Sequence, residues 1–175
     1  MLLLEPLEPV DGSLPAGLLA ELTDLYASNA AFHRLSGDFP DPEDVRPEQV
    51  SSSINAELVH PASEVLLARA GNGLVGLAVT LAEHPDPLDT YPWIGLLMVH
   101  SQHHRAGYGR ELAALVEDRL RGAGRDGVRL AVLENNPGAL LFWTALGYRA
   151  IDRREDRQLG RPCVVLHKDL PPSSP

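Results

Sequence analysis

The sequence predicts a mixed α/β fold, with a largely antiparallel first half and one βαβ crossover, on three observations. Glu64–Ala70 and Leu74–Ala82 are strand-like runs joined by Gly71-Asn72-Gly73, a hairpin turn signal. Trp93–Val99 is apolar on both sides, as a central strand covered on both faces must be. Leu112, Leu115, Val116 and Leu120 fall on one face of a helix that leads to another apolar run, Val128–Leu133. Strand, helix and strand in that order make the crossover.

Each element has its own local reason. Leu2–Leu4 is a short first strand. Leu18, Leu22, Leu25 and Tyr26 recur at helical spacing, which predicts a helix from about Ala16 to Ala30. Ser36–Pro47 holds three prolines, a glycine and four acids, so it is a loop. A second helix starts at Pro47 and stops near Leu58, ahead of Pro61. Glu83–Pro92, rich in proline and acids, is the loop into Trp93–Val99. The helix after Gly107 ends near Gly122 or Gly124. Asn136-Pro137 has the grammar of a helix start, Asn as N-cap and Pro at the first helical position, and Gly147 is placed to end that helix after Leu146. Arg149–Arg157 and Pro162–Leu166 form a closing hairpin. The run Asp152–Arg157 balances its own charge and reads as solvated. One domain over residues 1–170 is expected, with 171–175 a disordered tail.

Composition narrows the function. A chain of 175 residues, 44% of them hydrophobic, is long enough to bury a core as one domain. Twenty-four acids against fifteen bases, a formal charge of −9, argue against a nucleic-acid binder, whose affinity rests on basic clusters. No apolar run reaches the roughly 20 residues that span a bilayer. Met1–Leu4 is apolar but is followed at once by Glu5 and Pro6, so no targeting segment is expected and the location expected is cytoplasmic. The lone Cys163 fits that reducing compartment and reads as a core residue rather than a nucleophile.

The most informative stretch is Leu97–Leu112. A central strand ends at Val99, a short polar loop follows, and Gly107-Tyr108-Gly109 opens a long helix. Glycines let backbone N–H groups approach a ligand, and a helix N-terminus adds about half a positive charge. With Arg105 and Arg110 and no acid between them, the place suits a phosphate or pyrophosphate; a plain tight turn is the bland alternative. The dinucleotide fingerprint fails, since Leu112 stands where a third glycine belongs, and no P-loop Gly-Lys-Ser/Thr is present.

Here the sequence resembles the GNAT superfamily of acetyl-CoA-dependent N-acetyltransferases. Their first signature, Gln/Arg-x-x-Gly-x-Gly/Ala, is matched by His104-Arg-Ala-Gly107-Tyr-Gly109, with His104 where Gln or Arg is usual. Their second, Asn-x-x-Ala-x-x-Phe/Leu-Tyr-x-x-x-Gly-Phe, is similar to Asn136-Pro-Gly-Ala139-Leu-Leu-Phe-Trp143-Thr-Ala-Leu-Gly147-Tyr148. The two lie in register and span Trp93–Tyr148, about a third of the chain. The resemblance implies a central mixed sheet of six to seven strands with about four helices. It also implies acetyl-CoA as co-substrate, with no metal, and a primary amine as acceptor. It places the pyrophosphate on the amides of Arg105, Ala106, Gly107, Tyr108, Gly109 and Arg110, with His104 as the cofactor-site residue that leads the motif. The pantetheine arm falls on the backbone of Met98 and Val99, with Asn136 and Trp143 beside the arm's far end or the thioester. Asn136 is at the same time an N-cap. A homodimer is a family-level expectation.

The usual proton-transfer residues are absent. Many members of the family carry a Tyr where this chain has Trp143, and some a Glu where it has Trp93; an indole N–H donates a hydrogen bond but is no usable acid. Glu83, His84, Asp89 and Tyr91, in the loop before Trp93, and His33, near the first helices, are the candidates that remain, and no base is assigned among them. Glu83, Asp86 and Asp89 read most simply as solvated loop acids, and His33 as a helix-end or partly buried histidine. His100-x-x-His103-His104 has metal-like spacing but no accompanying carboxylate or thiolate. The acidic loops at Asp38–Asp44 and Glu83–Asp89 would attract a cationic acceptor. Two other readings stay open: an acyl-CoA-binding module with little or no catalysis, and a nucleotide- or NAD-binding α/β protein.

Overall fold

The computed structural model describes residues 1–172 and 174 and places seven strands in one sheet. They are β1 (Leu3–Pro6), β2 (Ser63–Ala70), β3 (Gly73–Leu81), β4 (Trp93–Val99), β5 (Gly127–Leu133), β6 (Arg149–Glu155) and β7 (Pro162–Asp169). Their order is β1-β2-β3-β4-β5-β7-β6, and β4 with β5 is the single parallel pair. The helices are α1 (Ala16–Ala27), α2 (Ala30–Ser36), α3 (Pro47–Leu58), α4 (Tyr108–Gly122) and α5 (Pro137–Ala145). None of them is long and apolar enough to cross a membrane. The expected tail falls partly on Ser173 and Pro175, which lie outside the described residues.

The strand alternation explains why the sheet has helices on both faces. Val65 and Leu67 of β2 pack with Leu22, Leu25, Val50 and Ile54 of α1 and α3. Leu66 and Ala68, one residue out of phase, pack with Leu112 and Val116 of α4 and Trp143 of α5 on the other side. β6 is exposed along its whole length and carries charges of both signs, which suits a free sheet edge.

Five helices stand where four were expected: α1 ends at Ser28-Asn29, near the expected end, and α2 follows at once in a stretch where no helix was expected. The Ser28 hydroxyl and the Asn29 amide both donate to the Leu25 carbonyl, at 2.8 and 3.0 Å, in competition with the helical ladder. Asn29 then takes φ −106°, ψ 39°, and the chain restarts as α2. The same two side chains tie the break to the end of β4. Asn29 Nδ2 donates to Val99 O at 3.1 Å, and Ser28 Oγ accepts from Ser101 N–H at 3.0 Å.

Gly76 holds β3 close to β4 where β4 nears its end. A Cβ there would stand 2.5 Å from the Met98 carbonyl oxygen, a backbone atom that cannot swing aside. Gly76→Ala is expected to cost about 1–3 kcal/mol of stability. Urea denaturation reads this, and an unchanged midpoint contradicts it.

Candidate active site

β4 and β5 pair only at Trp93–Arg129 and Ile94–Leu130. Beyond Ile94 they part. Gly95 is skipped in the register between β3 and β4, and this bulge bends β4 as the wedge opens. The wedge is continuous with a cleft of about 1700 Å³. Met98, Val99, His104, Arg105, Gly107, Gly109, Arg110, Asn136 and Trp143 line it; Ala106 and Tyr108 do not.

The hydrogen-bond parity of β4 decides which backbone groups the wedge offers. His100 N–H donates to Val75 O at 2.8 Å, so the backbone of Met98, two residues back, also turns to β3. Leu97 and Val99 therefore turn theirs into the wedge. The backbone groups of Met98, expected to pair with the arm, are thus turned to β3, and those of Leu97 face the wedge in their place. The Val99 carbonyl is already taken, by Asn29 Nδ2 and by His104 Nε2 at 2.8 Å. His104 thus folds back to close the turn. Among the described residues the N–H of Val99 and both polar groups of Leu97 have no partner.

The turn that follows is a cradle of amides. Arg105 has φ 63° and Gly107 φ 88°, and such left-handed residues aim successive N–H groups into one concavity. Among the described residues nothing accepts from the N–H groups of Arg105, Gly107, Tyr108, Gly109 or Arg110; the first turn's ladder begins with Glu111 N–H to Gly107 O. Gly109 is needed for packing: a Cβ there would meet the Phe142 ring at 3.3 Å, so α5 lies against the start of α4. The one carboxylate of the first turn, Glu111, is engaged by the Leu2 N–H at 2.6 Å. Arg105 and Arg110 supply the charge of the turn. A pyrophosphate fits this donor set.

Asn136 caps α5, its Oδ1 accepting from Ala139 N–H at 3.1 Å. Trp143 is packed edge-on between Phe142 and Tyr148, and its indole N–H has no protein acceptor among the described residues. The histidines of the loop are each engaged separately: His100 with Asp24 at 3.0 Å, His103 against the Tyr108 ring, His104 on Val99. Among the described residues no three metal-ligating side chains converge.

The opposite half of the cleft is walled by α1, α2, α3 and the turn between β6 and β7. Arg161 of that turn reaches across it. It donates to Ser36 O at 2.6 Å and to Asp38 at 3.0 Å, while its Nε is held by Asp156 at 2.7 Å. Arg161, together with the N–H groups of Gln158, Leu159 and Arg161 itself, holds the Asp156 carboxyl well below the usual carboxylate range. Asn135 Nδ2 caps Leu35 O from the same side, at 3.1 Å. The last carbonyls of α2 are thus bonded by side chains from the β6–β7 turn and from the connection between β5 and α5. Asp38, Glu48 and Glu57 give this half its negative charge.

Of the candidate proton-transfer residues, only His33 is brought here. Glu83, His84, Asp89 and Tyr91 do not line the cleft. Most of them build a clamp at the closed end of the wedge. Asp89 accepts from the Trp93 indole at 3.1 Å and pairs with Arg129 at 3.1 Å, and Arg129 lies 4.5 Å over the Tyr91 ring. Burial pushes the Asp89 carboxyl up, but the Tyr91 N–H, Arg129 and Trp93 outweigh it and hold it low. His84 packs against Trp93 in a tilted arrangement, ring centroids 4.7 Å apart, and burial pushes its imidazolium down. Cys163 is buried as expected, with burial pushing its thiol up. Sequence reasoning missed Asn29, Leu97 and Arg161. Only Asn29 left a signal, as a helix-breaking residue inside a helical pattern.

The sequence profile described as the Acetyltransferase (GNAT) family matches residues 25–148. No curated protein matches the chain by sequence. Among solved structures, an acetyltransferase from Thermus thermophilus superposes with a TM-score of 0.74 at 21% identity, over 97% of each chain. A spermidine N-acetyltransferase from Vibrio cholerae, in complex with CoA and spermine, gives 0.67 at 14% identity, over 97% of this chain and 95% of its own. The ribosomal-protein-S18-alanine N-acetyltransferase from Escherichia coli gives 0.64 at 15%, over 99% of this chain and 97% of its own. At such identities the likeness is one of fold.

Proposed function

The chain belongs to the GNAT acetyltransferase family, and from that premise we propose that it transfers the acetyl group of acetyl-CoA to a primary amine. The observation that carries the reading is the set of five unpartnered amides at Arg105, Gly107, Tyr108, Gly109 and Arg110, at the mouth of a wedge lined by free β4 backbone groups. Acetyl-CoA supplies an activated thioester. The amides and the two arginines hold its pyrophosphate, and Leu97 pairs with the pantetheine arm. The Leu97 N–H donates to the thioester carbonyl oxygen as it gains charge, while the Leu97 carbonyl and the Val99 N–H serve the arm. The Trp143 indole N–H, free in the cleft, donates a hydrogen bond near the thioester sulfur but supplies no proton. The proton that the sulfur gains comes from the attacking nitrogen.

Asp38, Glu48 and Glu57 favour a cationic acceptor entering from the α2–α3 side. Spermidine and an alanine of ribosomal protein S18, which the names of two structural relatives carry, are the first acceptors to try. The reading as a binding module without turnover is favoured by Trp93 and Trp143, which stand where the family's usual base and acid would be.

Thermal shift with acetyl-CoA, CoA and NAD side by side tests the cofactor. At a hundredfold excess over Kd, a ligand of the native state adds about 2.7 kcal/mol. For this size of chain that is about 5–10 °C. A rise with acetyl-CoA and none with NAD is expected, followed by thiol release with an amine. No shift with any CoA species sinks the proposal, and binding without turnover on a broad amine panel leaves the module.

A further inference from the structure

The inner face of α2 is polar where a core-packing helix would be apolar. Asn29, His33 and Ser36, at i, i+4 and i+7, are all buried. Asn29 is spent on Val99 O and Leu25 O, and Ser36 on its own turn. His33 is 1% exposed, and its Nε2 lies 2.8 Å from Tyr26 O, an acceptor only, so Nε2 carries the proton and Nδ1 the lone pair. Nδ1 is the one buried side-chain polar atom without a hydrogen-bond partner among the described residues. A phenylalanine or leucine at this place would fill the same space against Phe32 and Phe39 without that cost. His33 also lines the acceptor half of the cleft, one helical turn beyond the residue that grips the end of β4.

Resting on the transferase reading above, we propose that His33 is the proton acceptor of the acceptor half: through one water at Nδ1 it takes the proton that the bound ammonium group must lose. The balance is simple. The ammonium gives one proton to His33, and the freed lone pair forms the C–N bond. The C–S bond breaks with its electron pair on sulfur, the second N–H proton goes to that sulfur, and His33 returns its proton to solvent. The tautomer fixed by Tyr26 O is the one this step needs.

The charged and titratable groups around the ring are compatible with a neutral base. Tyr26 of α1 stacks on it at 5.9 Å, with Glu57 of α3 beyond; Asp38 follows α2, and Arg161, bonded to Asp156, reaches in from the turn before β7. Burial pushes the His33 imidazolium down, while the Tyr26 carbonyl and Asp38 pull it up. His33 is therefore neutral at pH 7, and Asp38 stands ready to offset the charge it gains.

The test is the pH profile of kcat/KM for acetyl transfer to n-butylamine and to spermidine, in wild type and His33→Gln. Glutamine keeps a donor for Tyr26 O and removes the base. Wild type should show an acid limb. H33Q should lose that limb and about 100-fold in kcat/KM at pH 7, with acetyl-CoA affinity within twofold. Undiminished turnover or an unchanged limb in H33Q overturns this inference alone. No turnover by wild type with any amine overturns the transferase reading and this inference with it. If H33Q does not fold, the wild type decides: the His33 Nδ1 resonance in long-range 1H–15N spectra must titrate with the midpoint of the acid limb, and a mismatch overturns the assignment.

Discussion

Glu117→Leu is expected to lower the unfolding free energy by about 3 kcal/mol or more, the cost of stripping a buried charge pair of one partner. Glu117 lies on the sheet-facing side of α4 and is 5% exposed. Lys168 Nζ of β7 sits 2.9 Å from both of its oxygens, and the Tyr148 hydroxyl, just past α5, donates to one at 3.0 Å. Arg121 stands further off at 3.9 Å. Burial and the nearby carboxylate push the Tyr148 phenol up, so it stays a neutral donor. Three elements meet on one carboxylate, and leucine would leave both an ammonium and a phenol facing apolar surface. Part of Lys168 reaches solvent, which keeps the loss toward the lower end. The double variant Glu117→Leu/Lys168→Met removes both charges and should recover more than half of it, since apolar replacements of whole buried pairs are tolerated. Urea denaturation of wild type, both single variants and the double variant reads the cycle. A Glu117→Leu protein within 1 kcal/mol of wild type, by the scale of ordinary surface changes, would show the cluster to be solvated.

That cluster also shows where the sequence stops being legible. Leu112 and Val116 announce the buried face of α4 by their spacing, but Glu117 beside them reads as an ordinary surface acid, because its partners lie 31 and 51 residues away. Elements written in local chemistry came through: the Gly71–Gly73 hairpin, the Asn136 cap, the two glycines at the start of α4, and the apolar β4. The acceptor half did not. Arg161 meets Ser36 and Asp38 across more than 120 residues, and nothing in the local run of either partner marks the meeting. The division within α1–α2 was visible only as Ser28-Asn29, two side chains that compete for backbone carbonyls. Leu97 was hidden by a different cause. Which residues of β4 face the wedge depends on hydrogen-bond parity with β3, and the bulge at Gly95 sets the curvature of the strand that presents them. The candidates in 83–92 were plausible by nearness to β4, but the Arg129 side chain draws Asp89 and Tyr91 to the closed end of the wedge instead.

Gly107→Val is expected to weaken acetyl-CoA binding by at least about 100-fold, while the protein still folds. The residue sits at φ 88°, open to solvent on its Cβ side, so the obstacle is the backbone and not a clash. A β-branched side chain at that φ costs about 1–3 kcal/mol and is relieved by rotating the turn out of its left-handed form. Rotation turns the N–H groups of Gly107 and Tyr108 away from the others. Two charge-assisted hydrogen bonds to a phosphate are together worth about 3–6 kcal/mol, and 2.7 kcal/mol is already about a hundredfold. Gly109→Ala makes the informative comparison. It keeps a helical backbone and every amide, and meets only the Phe142 ring at 3.3 Å, so its effect should be a small loss of stability with binding reduced far less. Arg105→Ala and Arg110→Ala separate charge from amide geometry, because their losses should shrink as salt rises whereas the Gly107→Val loss should persist. Titration calorimetry with acetyl-CoA on these four variants distinguishes the contributions. Binding of Gly107→Val within threefold of wild type would mean that the phosphates do not rest on this turn, and the five unpartnered amides would then need another ligand to explain them.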